Sequence, residues 1–486
     1  MKKFFLYFRF FLKKILQNSL TAYIISLIIL LSIKKLSDSK KKKNALKIIV
    51  FSHLRWSEGI KVLDRDSEII LYKIPDIIFN YITSFFSAKN LLNYYLQGEN
   101  YLNKEDKKEK IIFSKPLSLA YFKIKDKEVL NERIRQEKFV RILARNLSFF
   151  YKINCGLSCG INYNSEFSWV SGFHNGGIPF VILYKEKSEF NNMSLKTTFI
   201  NLKKVNFKFL GTAIGVVNKT IKNELEKSKI VPNTHIQDIG LLRFDNILKE
   251  NRRLNDNKRK GITLFSFSPF SSNIYPEKFT DTLKSNQNIY KKYFSDKNNE
   301  GFSKLFLNTH KIFIKLAEKN KNTNFYVKFK FPDYLNDKKC KQLLIDFIKN
   351  VTGKDLKKIK NLILTNENSL NLIKKSKNII SFNSTVIIES VACGVAPIIP
   401  VFDEAKGKYL KKVFFKDGKR IIYFAKSKND LVNLINLSLK NKIKLIQNRK
   451  KVDNFLKKHV NFSKPVARTN TKLFIKRVIE NYNKNI

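Results

Sequence analysis

Asn383, Ser384 and Thr385 form a polar turn between a short apolar run ending at Ser381 and a helical stretch that runs to about Ala392. Gly394 then stops that stretch, and a second apolar run starts at Ala396. Free backbone amides at the start of a helix, two hydroxyls and the helix dipole together favour a phosphate or diphosphate. Glu389 lies four residues beyond Thr385, about one helical turn, on a similar face. An acid there could accept hydrogen bonds from ribose hydroxyls. The plainer reading is an ordinary strand, cap and helix, because Ser and Thr are common N-caps.

Three residues in the first half of the chain are candidates for acid–base work. His53 follows the first apolar run, and Glu166 and His174 flank Phe167–Phe173 ahead of the Gly176–Gly177 pair. Any of them could take a proton from an attacking hydroxyl, and each could equally be a hydrogen-bonded structural residue. Arg55 could bind a phosphate or a surface acid. Asp64-Arg65-Asp66 matches a metal-binding D-x-D, but it precedes a strand instead of ending one, so no metal site is expected. His235, His310 and His459 receive no role.

The elements that must position these residues alternate between strand and helix. Leu46–Phe51, Ile69–Tyr72, 153–160 and Ile178–Tyr184 read as buried strands, with helical spacing from Leu130 to Phe150. Ile214–Glu224 reads as strand, turn and helix. Residues 248–260 are nearly all polar and read as a linker. The pattern restarts with strands at Ile262–Phe267, Asn324–Lys330, Leu362–Leu364, Ile379–Ser381 and Ala396–Pro400, and a helix over about 302–319. The expected class is α/β, two Rossmann-like domains facing a cleft. The expected organisation is a membrane-associating helix and basic stretch over 1–43, an acceptor domain over 44–247, the linker 248–260, a nucleotide-donor domain over 261–455 and a C-terminal helix over 456–486.

The chain has 486 residues, of which 94 are Lys or Arg and 40 Asp or Glu, a formal net charge of +54. With 43% hydrophobic residues and 42 Phe, a packed core is expected and wholesale disorder is excluded. No series of spanning segments is visible, which excludes a polytopic channel or transporter. The basic residues are spread along the chain and form no recognised reading motif, so nucleic acid is not the expected partner. The four cysteines, Cys155, Cys159, Cys340 and Cys393, show no zinc-site spacing and read as buried thiols.

Ile15 to Ile33 carries no charge and is flanked by Lys13, Lys14, Lys34 and Lys35, with Lys40–Lys43 beyond. Three readings stay open: an interfacial anchor on an anionic membrane, a single span, and a helix packed on the protein itself. In each the main body is expected at the cytoplasmic side of the inner membrane.

The segment Phe382–Pro400 resembles the donor-site segment of GT-B glycosyltransferases, with surface-carbohydrate and capsule biosynthesis proteins and the CDP-glycerol glycerophosphotransferase-like group as the nearest likeness. Gly177–Glu186, Ile214–Glu224 followed by Gly240-Leu-Leu-Arg-Phe-Asp245, and Tyr326–Lys330 with Pro332 resemble further pieces of that family in the same order. The resemblance implies transfer of a glycosyl or polyol-phosphate unit from a nucleotide-linked donor to a polysaccharide or lipid-linked acceptor, with no cofactor and no metal. By it, Ser384 and Thr385 hold donor phosphates and Glu389 the ribose. Lys328 neutralises phosphate charge, and the Ser266–Ser268 turn faces the same cleft. The base comes from the first half of the chain. Ser381 stands where the E-x7-E of retaining enzymes would have an acid, which counts against that assignment. Two alternatives remain: a nucleotide-sugar epimerase of the same fold, which would carry a Gly-Gly turn in place of Asn383–Thr385, and a non-catalytic scaffold of that fold.

Overall fold

The computed structural model describes residues 19–37, 40–51, 56–85, 127–161, 164–184, 199–200, 202–203, 207–250, 259–269, 301–329, 338–407, 409–419, 421–443 and 449–484. The chain divides into two compact units. The first is Met1–Ser188, Leu195–Asp245 and Val466–Ile486; the second is Asn246–Pro465 with the stretch Glu189–Ser194. Each is a Rossmann-like α/β unit built on its own sheet.

The first sheet has seven strands: β1 (Lys34–Lys35), β2 (Leu46–Val50), β3 (Ile69–Lys73), β4 (Cys155–Ser158), β5 (Phe180–Tyr184), β6 (Ala213–Val216) and β7 (Ile236–Asp238). Their order is β1-β3-β2-β4-β5-β6-β7, parallel throughout except for β1 against β3. Strands covered on both faces read as unbroken apolar runs, and every residue of β5 is buried. Gly156 on β4 leaves room for the Phe180 ring, which a Cβ there would meet at 2.5 Å.

The second sheet has six parallel strands: β8 (Gly261–Phe265), β9 (Asn324–Lys328), β10 (Leu362–Thr365), β11 (Ser376–Ile380), β12 (Ala396–Pro400) and β13 (Tyr423–Ala425). Their order is β10-β9-β8-β11-β12-β13. β9 and β10 grow outward to one side of β8 and β11, β12 and β13 to the other, so winding reverses between β8 and β11. Ser303–Lys319 joins β8 to β9 and buries Leu305, Phe306, Thr309, His310, Phe313 and Ala317, a stripe at helical spacing. Its first turn is held from β12's loop, where Glu404 accepts from the amides of Lys304 at 2.8 Å and Leu305 at 2.9 Å.

After Pro465 the chain leaves the second unit, and the helix Ala467–Lys484 packs in the first. Phe474 and Ile475 join the core around Ile48 and Leu71. The linker expected over 248–260 begins inside the helix Phe244–Glu250, and 251–258 lie outside the described residues.

Near the N-terminus the apolar segment forms the helix Ser19–Leu30. Ala22, Ser26, Ile29 and Leu30 are buried, so one side packs on the protein, against the helix Lys127–Asn146. Among the described residues no helix is long and apolar enough to cross a membrane. Cys155, Cys159 and Cys393 form no disulfide and are buried, and burial pushes Cys155 up to about 12.

Candidate functional site

The strand order of the second unit decides where its polar turns meet. β8 ends at Phe265 and β11 at Ile380, and these strands are neighbours. Ser266-Phe267-Ser268 and Ser381-Phe382-Asn383-Ser384-Thr385 therefore emerge side by side, with the Phe267 and Phe382 ring centroids 5.2 Å apart. Lys328 ends β9 on the other side of β8, where its carbonyl accepts from Ser266 N at 2.9 Å. Ser266, Ser268, Asn383, Ser384, Thr385 and Lys328 thus gather at the carboxyl ends of three adjacent strands, and Glu389 lies within the helix that follows β11. In open parallel sheets that edge, at the reversal of winding, is where ligands bind.

The details of the turn differ from a simple capped helix. Asn383 adopts φ 47°, in the left-handed region that Asn tolerates better than most residues. Its side-chain amide donates to Lys412 O and its carbonyl accepts from Phe414 N, both at 2.9 Å. Asn383 therefore shapes the turn by holding the Lys412–Phe414 loop, and its side-chain amide is engaged there. Thr385 is already helical at φ −62° and ψ −22° and makes no side-chain cap bond, while Ser384 Oγ accepts weakly from Val386 N at 3.4 Å. The helix Val386–Ala392 is one short, wholly buried piece, and Glu389 within it is 7% exposed. Lys328 Nζ reaches Asn366 O at 3.4 Å.

Two residues of this edge carried no signal strong enough to select them. Ser381, at the end of β11, is fully buried and its hydroxyl has no hydrogen-bond partner. His310, buried on the helix Ser303–Lys319, has Nε2 3.0 Å from Ser266 Oγ and Nδ1 2.7 Å from Phe306 O. Rings of Phe267, Phe306 and Phe329 surround the imidazole, and burial lowers it to about 4. The one sequence hint was its place on the apolar stripe of that helix.

In the first unit winding reverses between β2 and β4. Glu166 lies in the first turn of the helix Asn164–Asn175, just past the carboxyl end of β4. It is 1% exposed, and its carboxylate accepts a short hydrogen bond from Ser158 Oγ, the last residue of β4. Together with Gly160, Ile161, Phe167, Phe209 and Gly211 it lines a small pocket.

His174 is at the opposite end of that helix, eight residues or about 12 Å along its axis. The helix returns the chain to the amino end of β5, so His174 stands away from the edge where Glu166 lies. Its Nδ1 is 3.2 Å from Thr212 Oγ1, and its carbonyl accepts from Tyr482 Oη at 2.5 Å. Burial, then the nearby His235, lowers its pKa. These contacts fit the structural alternative weighed for His174, and Glu166 and His174 do not form one site. His53 and Arg55 lie outside the described residues.

The D-x-D pair is engaged in ion pairs: Asp64 with Lys41 at 3.6 Å, and Asp66 with Lys472 at 3.4 Å and Arg468 at 3.8 Å. Among the described residues no cluster of three or more His, Cys, Asp or Glu is placed to hold a metal.

No family model matches the chain, and no curated protein matches it. Solved structures do. UDP-GlcNAc 2-epimerase from Neisseria meningitidis, bound to UDP-GlcNAc, is 11% identical over 89% of this chain and 99% of its own, with a TM-score of 0.42. The wall teichoic acid polymerase TagF is 13% identical over 68% of this chain and 74% of its own, at 0.43. A trehalose 6-phosphate synthase from Burkholderia multivorans is 9% identical over 90% and 99%, at 0.44. Likeness at this level bears on neither substrate nor chemistry; the description of each unit as Rossmann-like rests on its own strand order.

Proposed function

We propose that the chain is a transferase that moves a glycosyl or polyol-phosphate unit from a nucleotide-linked donor to a surface-polysaccharide precursor. The observation that carries the reading is the reversal of winding between β8 and β11, which brings Ser266–Ser268, Ser384–Thr385 and Lys328 to one edge. The hydroxyls of Ser384 and Thr385 and the Lys328 cation suit a diphosphate, and they stabilise the charge that develops on it as it leaves. Ser384 and Thr385 take the donor phosphates, Lys328 neutralises them, and Glu389 accepts from ribose hydroxyls. The family likeness of Phe382–Pro400 supports the same roles. Glu166 is the base candidate of the first unit, held by Ser158 beside a pocket.

The test is a thermal-shift screen of nucleoside-diphosphate-linked and CMP-linked donors, followed by product analysis. Stabilisation by one donor class, with released nucleotide and a modified acceptor, supports the reading. An isomerised donor makes the chain an epimerase, and binding without turnover makes it a scaffold.

A further inference from the structure

The helix Ser19–Leu30 contains no charged residue. Its side opposite the protein carries Leu20, Ile24, Ile28 and, just past its end, Leu31, which are 64, 48, 60 and 85% exposed. Steps of four, four and three place them in one stripe. The buried side is fastened at two points: the Ser26 hydroxyl accepts from the Asn146 amide, and Tyr151 Oη donates to Leu30 O at 2.8 Å. Those bonds bring the turn Leu147–Tyr151 to the end of the helix. That turn exposes Phe149 and Phe150, 67% and 51%, in an edge-to-face pair 4.9 Å apart. Two segments more than 100 residues apart in sequence thus build one apolar ridge. Lys34, Lys35, Arg145 and Lys152 beside it are exposed, and no acid occurs in Ser19–Ser37 or Phe139–Lys152.

We infer that this ridge is a membrane-docking surface whose occupant is an anionic bilayer. Leucines, isoleucines and the Phe pair enter the boundary between headgroups and acyl chains, while the flanking Lys and Arg meet lipid phosphates. A second copy of the chain is disfavoured as the occupant, because pairing two such ridges brings like charges together on chains of +54 each. The surface differs from an anchor made of the N-terminal segment alone: it is fastened to the first unit, it is shared with the Leu147–Tyr151 turn, and it works by lying on the membrane.

The test is flotation of the full chain with vesicles of phosphatidylcholine, with and without phosphatidylglycerol. Binding to the anionic vesicles is expected, and Leu31→Glu and Phe149→Glu should each lower the bound fraction roughly tenfold. Both sites are mostly exposed, so the melting temperature should stay unchanged. Leu437→Glu, on an exposed site of the helix Lys428–Leu439, adds the same charge and should leave binding as it was. Equal losses in all three variants, or no loss in the first two, would overturn the ridge as the docking surface. So would a dimer in light scattering that Leu31→Glu dissociates without any vesicle binding.

Discussion

Ser266 donates its hydroxyl hydrogen to Nε2 of His310. The Phe306 carbonyl can only accept, so Nδ1 of His310 carries the ring hydrogen and Nε2 is the acceptor left for Ser266 Oγ, 3.0 Å away. With its hydrogen committed to the imidazole, the Ser266 hydroxyl has only acceptor lone pairs left to offer. Burial disfavours the charged ring and lowers the imidazole to about 4.

Burial of His310 makes the second unit acid-sensitive. The unfolded chain takes up this proton near pH 6.5, whereas the folded chain resists until about 4. Stability is therefore present above 6.5 and is lost as pH falls toward 4. His310→Leu lacks that proton, so the stability difference between wild type and variant should narrow over this window, by up to about 3 kcal/mol. Urea unfolding at pH 7.5, 6, 5 and 4.5 measures it; a constant difference would contradict the buried neutral ring.

Donor affinity should fall with the charge and hydroxyls of the second unit's edge. Lys328→Ala should weaken binding about tenfold or more, as loss of a hydrogen bond to a charged group does, and Ser384→Ala and Glu389→Ala by less. Titration calorimetry with the donor found by the screen measures all three. Unchanged affinity in both Lys328→Ala and Ser384→Ala would remove the site assignment.

The close approach of the helices Lys127–Asn146 and Asn164–Asn175 depends on glycine. A Cβ on Gly176 would lie 2.8 Å from Ala144 Cβ, 2.9 Å from Gly172 O and 3.0 Å from Arg141 O, and backbone atoms cannot swing aside. Gly176→Ala should cost about 1–3 kcal/mol in denaturant unfolding. Gly407→Ala, whose Cβ would meet only Asp403 O at 3.9 Å, serves as the neutral comparison.

Asp245 caps the last helix from 222 residues away, accepting from the amides of Ala467 at 3.0 Å and Arg468 at 2.8 Å. Asp245→Ala should cost about 1–2 kcal/mol. Amide exchange should rise first over Ala467–Lys484 if that helix is released by the loss of its cap.

Glu68 accepts from Lys42 and Lys476 and pairs with Lys472, and hydrogen bonds from these lysines lower its carboxyl to about 2. Its contribution is present above the unfolded value of 4.5 and disappears as pH falls through about 2. Glu68→Gln should lower the melting temperature at neutral pH and low salt, with the difference shrinking in 1 M salt.

Strand identity was legible because parallel strands are covered on both faces and so appear as apolar runs. Leu46–Phe51, Ile178–Tyr184 and Ala396–Pro400 correspond to β2, β5 and β12 to within two residues. The brief β1 and β13 escaped, since two or three residues carry no period. Ser384, Thr385 and Glu389 stood out because a cap and a helical turn are local patterns. Asn383 stood out for the same reason, yet its side chain is occupied by a loop that begins 29 residues later.

The local order of residues by itself determined the alternation of strand and helix, the polar turns after the strands and the excess positive charge, since these depend on neighbours within one or two turns. Strand order within each sheet, the pairing of Ser266 with His310, the capping of Ala467 by Asp245 and the bond from Tyr151 to Leu30 were decided only in the tertiary structure. Each of those joins residues tens to hundreds of positions apart, and packing brings them together by a choice that no local period encodes.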